Sequence, residues 1–341
     1  MEKIPSGVSV IICCYNSEKR IEATLKHISE QVGIEAIDCE LILVDNNCKD
    51  NTVKVATDFW EQSNQSTIKL TIVSQPIAGL SAAREKGIEV AKYAYLLFCD
   101  DDNWLCSNFI KTAFDIISSD EKIGVLGGLG FPECEIAPPE WFSEFSYNYA
   151  IGVQNDTNGK VDNNSPFVYG AGSVYRKEAL IQLLQQDFAP LASDRKGSKL
   201  SSGGDVELCL AINKIGYEIW YNDGLKFQHF IPKERLTTEY LKRLQYSLGY
   251  TGAYHLPYKW VFSKVDIPTY KKTWWWFFLG VAVYIFRYEL PRFFKGMVTG
   301  NYFKQKIKLI NQFGLLVGIF ECRHLIPANY QKLMNAKWIK K

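Results

Sequence analysis

The chain of 341 residues has few of the features that would place it outside the cell or around a metal cluster. It holds four histidines, three methionines and nine cysteines. The cysteine count is odd and no C-x-x-C pair occurs. Several cysteines sit inside apolar runs, where the residue behaves as a small buried hydrophobe. The opening segment MEKIPSG lacks a signal-peptide pattern, so a reducing, cytoplasmic setting is expected. No glycine stands in YNSEKR, the turn after the first apolar run. That counts against a dinucleotide-binding domain and against a sugar-phosphate nucleotidyltransferase, both of which use glycine-rich phosphate loops. The apolar run from Trp274 to Phe286 spans thirteen residues, short of the about 20 that cross a bilayer.

Charge of one sign is missing only from the total. Residues 1–225 carry 19 basic and 32 acidic side chains, a net of −13, whereas residues 226–341 carry 20 and 5, a net of +15. An acidic body is thus joined to a basic tail. Hydrophobic residues make up 47% and charged residues 22%, an ordinary globular mix that argues against disorder.

The first hundred residues alternate between two patterns. Val8 to Cys14 (VSVIICC) is a continuous apolar run, as in a strand buried on both faces, and Glu40 to Val44, Ile68 to Val73 and Ala94 to Cys99 read as further strands. Between them lie helical patterns. Ile21, Leu25, Ile28 and Val32 share one face, with Asn16 or Ser17 as cap and Glu18 in the first turn. Two more helices are predicted over 50–61 and 80–92. The β-α-β alternation predicts an α/β fold with a doubly wound, mostly parallel, Rossmann-like sheet. A helix from 203 to 216 and a short strand at 217–221 follow a looser middle region.

Polar residues fall where the strands end: Tyr15-Asn16-Ser17, Asp45-Asn46-Asn47 and Asp100-Asp101-Asp102. Ligands of open α/β sheets bind beyond the carboxyl ends of the strands, so these clusters should line one crevice. Three adjacent carboxylates repel one another unless a cation sits among them, and Mg²⁺ or Mn²⁺ takes oxygen ligands while leaving room for phosphate oxygens. A solvated acidic turn is the plain alternative. Asp45 suits either a base or ribose contact or an Asx turn. Arg84, about one turn into a helix whose start faces the crevice, suits a nucleotide or merely solvent.

The ordered set VSVIICCYNSEKRI, ELILVDNNCKDNT, GLSAAREKGI and LLFCDDDNWL resembles the family 2 glycosyltransferases of GT-A fold. So do GAGSVYRKEAL (Gly170 to Leu180) and SGGDVELCLAI (Ser202 to Ile212), and together the pieces cover about residues 5–240. The resemblance implies nucleotide-sugar contacts at Tyr15, Asn16, Asp45, Arg84, Asp100 and Asp101, and metal ligation at Asp102. It implies a catalytic base at Asp205, where Gly204 replaces the family's usual Glu. Glu207 is a second candidate on another helix face, and an N-terminal helix carboxylate is the structural alternative for Asp205. His229 and Arg235, in KFQHFIPKERLT, suit the metal shell and the diphosphate. Trp104 suits stacking on a sugar, and Glu18 and Gly172 complete the candidates. One base and one metal imply a single displacement with inversion.

The implied protein is a metal-dependent, inverting transferase that moves a sugar from a nucleotide donor to a hydroxyl of a glycan or lipid-linked glycan. A UDP-sugar is the expected donor, and cell-surface polysaccharide assembly the expected setting. The expected units are residues 1–240, split into a nucleotide half 1–105 and an acceptor half 106–240, and a helical extension 241–341. The extension mixes Trp and Phe runs with Lys and Arg. It reads as lying on the inner face of the cell membrane, with a soluble helical core and a transmembrane helix as alternatives. Its runs are too aliphatic for a nucleic-acid platform, so no nucleic-acid partner is expected. A nucleotide-binding scaffold without turnover stays open because of Gly204.

Overall fold

A computed structural model describes residues 4–63, 67–161, 166–192, 203–262, 267–269 and 272–339. The first half follows the expected alternation: β1 (Val8–Cys14), α1 (Ile21–Ser29), β2 (Cys39–Asp45), α2 (Thr52–Gln62), β3 (Lys69–Ser74), α3 (Leu80–Val90) and β4 (Tyr95–Phe98). Then come β5 (Asn103–Leu105), α4 (Phe109–Ser119), β6 (Ile123–Cys134), α5 (Phe142–Phe145), β7 (Gly159–Lys160), β8 (Ser173–Arg176), α6 (Lys177–Gln185), α7 (Gly204–Lys214) and β9 (Glu218–Ile231). The helices α8 (Thr238–Gly252), α9 (Leu256–Phe262), α10 (Trp274–Tyr284), α11 (Leu290–Thr299), α12 (Tyr302–Glu321) and α13 (Leu325–Asn335) close the chain.

The nine strands form one mixed sheet in the order β3-β2-β1-β4-β8-β6-β9-β5, with β7 beside β9. β1, β2, β3 and β4 run parallel, as do β6 and β9, while β8 runs antiparallel between β4 and β6. The apolar runs are buried because helices cover both faces. Val8, Val10 and Ile12 join one core with Leu25, Ile28 and Phe109; Ile11 points the other way, into a core with Ala83, Tyr175 and Leu210. Close approach fixes Gly87 of α3, where a Cβ would come within 2.5 Å of Ile11 Cγ2.

Three local expectations change. α1 starts at Ile21, because the Ser17 carbonyl takes the amides of Arg20 and Ile21; Glu18 therefore precedes the helix, and Val32 lies exposed beyond its end. A long strand, β6, opens the looser middle, and the short strand expected at 217–221 runs on to Ile231 as β9; the two pair along ten register positions. Pro291 in RYELPRFFKGMV is expected to interrupt a helix, but the chain passes from α10 through one π-type turn (Ile285–Glu289), and the proline falls in the first turn of α11, where no N–H is needed.

The basic extension folds back onto the body. α8 and α12 approach backbone to backbone, for a Cβ at Gly318 would stand 2.6 Å from the Tyr250 carbonyl, and Gly249 and Gly314 meet the Asn311 and Tyr246 carbonyls even more closely. Leu333 and Trp338 are buried in the same core as Ile11 and Ile212. Among the described residues no single helix is long and apolar enough to cross a membrane, although α12 and α13, bent by 81°, pass such a test as a pair.

Candidate active site

Beyond the carboxyl ends of β1 and β4 the fold leaves a cavity of about 750 Å³. Tyr15, Arg20 and Asp100 to Asp102 form its floor, and Gly79 to Arg84, at the start of α3, one wall. Tyr147 to Ala150, Phe167, Tyr169 to Ala171, Asp205, His229, Arg235 and residues of α8 complete the lining. Of the residues named from the sequence, Tyr15, Arg84, Asp100, Asp101, Asp102, Asp205, His229 and Arg235 therefore share one space.

The three acids have separate surroundings. Asp101 points into the β1–α1 turn, where its carboxylate accepts hydrogen bonds from Ser17 Oγ and, at 2.7 Å, Arg20 Nη2. Burial pushes its pKa up and the Asp102 charge adds to this, with Arg20 and Ser17 opposing. Asp102 has Oδ1 at 3.5 Å from His229 Nε2 and Oδ2 at 3.3 Å from Arg235 Nη1. Burial works to raise its pKa too, but the charges of His229, Arg235 and Arg20 outweigh that and hold the carboxyl well below the usual range. Asp102 is thus the member of the triad kept ionised and turned to the cavity.

β5 explains this placement. It begins directly after the acids and pairs with β9 so that Asn103 stands opposite His229, and the Phe230 amide binds the Asp102 carbonyl at 2.8 Å. His229 Nδ1 lies 2.6 Å from the Tyr149 carbonyl. A carbonyl only accepts, so Nδ1 carries the hydrogen and Nε2 is presented to Asp102. Two donors 3.5 Å apart suit one divalent ion, since an octahedral ion with ligands at about 2.1 Å wants neighbouring donors about 3 Å apart. Among the described residues no group of three or more His, Cys, Asp or Glu side chains is gathered for a metal. The pair therefore fits an ion whose remaining ligands are phosphate oxygens and water, not an all-protein cage.

Asp205 lies in the first turn of α7, with Oδ2 accepting the Gly170 N–H at 3.1 Å and Oδ1 that of Val206 at 2.9 Å. A Cβ at Gly170 would stand 3.0 Å from Arg84 Nη2 and 3.6 Å from Asp205 Oδ2. The missing side chain is what lets guanidinium and carboxylate converge there.

The other sequence candidates are placed elsewhere. Asn16 Oδ1 accepts the Lys49 amide at 2.8 Å and Asp45 Oδ1 the Cys48 amide at 2.9 Å, so both shape turns. Asn46, next to Asp45, lines the cavity; its Nδ2 holds the Gln75 and Ile77 carbonyls and its Oδ1 accepts the Gly79 amide at 2.8 Å, at the start of α3. Glu18 accepts from Asn51 side chain and backbone. Trp104 is stacked between His27 at 5.7 Å and Phe230 at 5.6 Å. Gly172, at φ +62°, packs on Phe227. Glu207 is fully buried behind Asp205, accepting the amides of Leu191 and Ala192 and the Tyr258 hydroxyl. Ser202 lies outside the described residues. Sequence reasoning missed Arg20, although it stands in the turn already singled out. It set Asn46 in a cluster at the crevice but gave it no role, and it missed the Tyr149 carbonyl, since a carbonyl leaves no trace in side-chain patterns.

Residues 9–184 match the family described as Glycosyl transferase family 2. A cholesterol galactosyltransferase from Borreliella burgdorferi is 33% identical over 115 residues, covering 34% of this chain and 30% of the relative. A poly(ribitol-phosphate) beta-glucosyltransferase from Bacillus spizizenii is 27% identical over 220 residues, 61% of this chain and 33% of the relative. The chain spans about a third of the length of the curated relatives it matches. Among solved structures, a mannosyltransferase from Pyrobaculum calidifontis in complex with GDP-Man and Mn²⁺ superposes with a TM-score of 0.53 at 15% identity, covering 95% of this chain and 76% of that one. The likeness shows that the two share a GT-A-type fold.

Proposed function

Because the chain belongs to glycosyl transferase family 2, we propose that it transfers a sugar, with inversion, from a nucleotide-sugar donor to a hydroxyl of a glycan or lipid-linked glycan. A UDP-sugar is the donor we favour, and cell-surface polysaccharide assembly the setting. The transferase unit is residues 1–240, with 1–105 serving the nucleotide and 106–240 the acceptor; residues 241–341 form the extension.

The observation that supports this reading is the shared cavity: Asp205, Asp102 and His229 all line the same space. Asp205 accepts the proton of the acceptor hydroxyl as the new C–O bond forms. The bond from the anomeric carbon to the phosphate oxygen breaks, and its electron pair leaves with the nucleoside diphosphate. Asp102 and His229 would hold a Mn²⁺ or Mg²⁺ ion, which when bound would supply positive charge for the diphosphate. Arg235 and Arg20 add fixed positive charge beside it. Gly170 and Val206 present N–H groups to Asp205, orienting the carboxylate.

Membrane-surface association belongs to the same reading. Between Lys272 and Lys308 seven basic residues accompany one acid, Glu289, which is buried and bound to Arg292 at 2.9 Å. Trp275, Phe286, Phe294 and Val298 are left exposed among them. Anionic headgroups attract such basic residues by about 1 kcal/mol each near the surface, and amphipathic rings suit that depth. This supports a peripheral place on the cytoplasmic face.

The test is a thermal-shift and donor-hydrolysis screen of UDP-, GDP- and CDP-sugars with and without Mn²⁺. Mn²⁺-dependent stabilisation and slow release of nucleoside diphosphate are expected. No stabilisation by any nucleotide at millimolar levels would end the assignment.

A further inference from the structure

Part of the cavity lining is aromatic, and the chemistry proposed above makes no use of it. Tyr147, Phe167 and Tyr169 form it. Tyr147 is 54% exposed and Phe167 37%, large ring surfaces left open at the mouth of a cavity. The rings of Phe167 and Tyr169 meet edge to face at 6.4 Å. Burial pushes the Tyr169 phenol up, and the nearby Tyr147 and Asp205 charges add to it, so these groups crowd one corner.

The wall is held in place rather than draped. The Tyr169 N–H donates to Gln154 Oε1 at 2.5 Å, and Gln154 Nε2 donates to the Gly128 carbonyl of β6 at 2.6 Å. The next residue, Gly170, gives its N–H to Asp205. The aromatic strip and the carboxylate are thus one peptide unit apart. Tyr147 belongs to the single-turn 3₁₀ helix Ser146–Tyr149, whose last carbonyl fixes His229.

A pyranose ring offers C–H groups on its faces and hydroxyls at its rim. An aromatic platform takes the face, and a carboxylate beside the platform meets a rim hydroxyl. We propose that Tyr147, Phe167 and Tyr169 are the acceptor platform, seating one pyranose ring of the acceptor glycan with a hydroxyl at Asp205. This rests on the glycosyl-transfer reading and adds to it the residues that grip the acceptor. A nucleobase also stacks on aromatic rings, but the residues assigned to the nucleotide, Tyr15 and Arg84, stand after β1 and in α3 rather than on these segments.

The experiment is saturation-transfer NMR and titration of the full chain with four disaccharides: cellobiose, N,N′-diacetylchitobiose, lactose and mannobiose. The wild type should bind at least one, with transfer strongest to ring C–H protons, and UDP with Mn²⁺ should not displace it. Tyr147→Ala and Phe167→Ala should each weaken that binding about 10-fold, while Tyr147→Phe keeps it. UDP binding in the presence of Mn²⁺, read by thermal shift, reports that each variant is folded and should be unchanged. Failure of all four sugars to bind the wild type would overturn the platform, as would undiminished binding by both alanine variants. Displacement by UDP would assign the wall to the nucleobase and overturn it as well. Disaccharide binding without turnover of any nucleotide sugar would leave the platform standing and remove the transferase reading instead.

Discussion

His229 Nε2 faces Asp102 Oδ1 at 3.5 Å while the other ring nitrogen is spent on the Tyr149 carbonyl at 2.6 Å. When neutral, the imidazole offers Nε2 in that one direction; when protonated, it is the positive partner that holds the Asp102 carboxyl down. Partners that orient a metal-binding histidine are worth about 10- to 100-fold in affinity, and removing a ligand itself should cost at least that. Asp102→Asn and His229→Ala are expected to abolish Mn²⁺-dependent tightening of UDP binding, measured by calorimetry with and without the ion. Equal Mn²⁺ dependence in wild type and Asp102→Asn would remove the pair as an ion site.

Asp205 touches no part of that pair, so its loss should separate chemistry from binding. A positioned base contributes about 10²- to 10⁴-fold to rate. Asp205→Asn keeps the carbonyl-type acceptor toward Gly170 and should lower kcat by that range while the thermal shift caused by UDP and Mn²⁺ stays that of the wild type. Full activity in Asp205→Asn would move the base elsewhere.

Most of the nucleotide half was legible before any coordinates. β1 falls on Val8–Cys14 as read, and β2, β3 and α2 begin and end within two residues of their apolar patterns. β1 and β2 are buried by helices on both faces, which writes continuous apolar runs, whereas the edge strand β3 is half-buried and carries Lys69 and Thr71. The acceptor half obeys a different demand. β6 carries Gly124, Gly127, Gly128 and Gly130 because neighbours press on each of them; a Cβ at Gly127 would stand 2.5 Å from Val168. Close packing there erased the β-branched signature that marks a strand. β9 alternates inward Phe227, His229 and Ile231 with outward Lys226 and Gln228, half-buried spacing that looks like a loop when read for apolar runs. The acidic triad was visible as a triad, but its division of labour was not. That Asp101 is bound to Arg20 and Asp102 to His229 depends on the turn of the backbone after β4 and on the pairing of β5.

Glu207, two residues beyond the base, is predicted to be structural. Its carboxylate takes the amides of Leu191 at 2.6 Å and Ala192 at 2.7 Å and the Tyr258 hydroxyl at 2.7 Å. Truncation to Ala strands three buried donors, at about 1–3 kcal/mol for each left unsatisfied. Glu207→Ala should therefore lower stability by several kcal/mol in urea unfolding, whereas Tyr258→Phe, which removes one hydroxyl, should cost about 1–2 kcal/mol. A Glu207→Gln variant that folds like the wild type and loses only kcat would instead assign Glu207 to catalysis.

The last prediction concerns the join between body and extension. α8 supplies Tyr240, Leu248 and Thr251 to the cavity, with His255 three residues beyond its end, and its other side meets α12 where Gly249 and Gly314 admit carbonyls of the partner helix. A side chain at Gly314 has no room, since the Tyr246 carbonyl occupies it. The helices must then part, and separation exposes the apolar contacts that hold α12 in place. Overpacking of this kind costs about 1–3 kcal/mol or more. Gly314→Val should lower the melting temperature, and because α8 moves with the strain it should also weaken whatever binds beside His255. Gly280, where a Cβ would meet nothing within 4 Å, supplies the control: Gly280→Ala in α10 should leave both unchanged. If Gly314→Val melts and binds as the wild type does, the glycine contact is not what fastens the extension to the wall of the cavity.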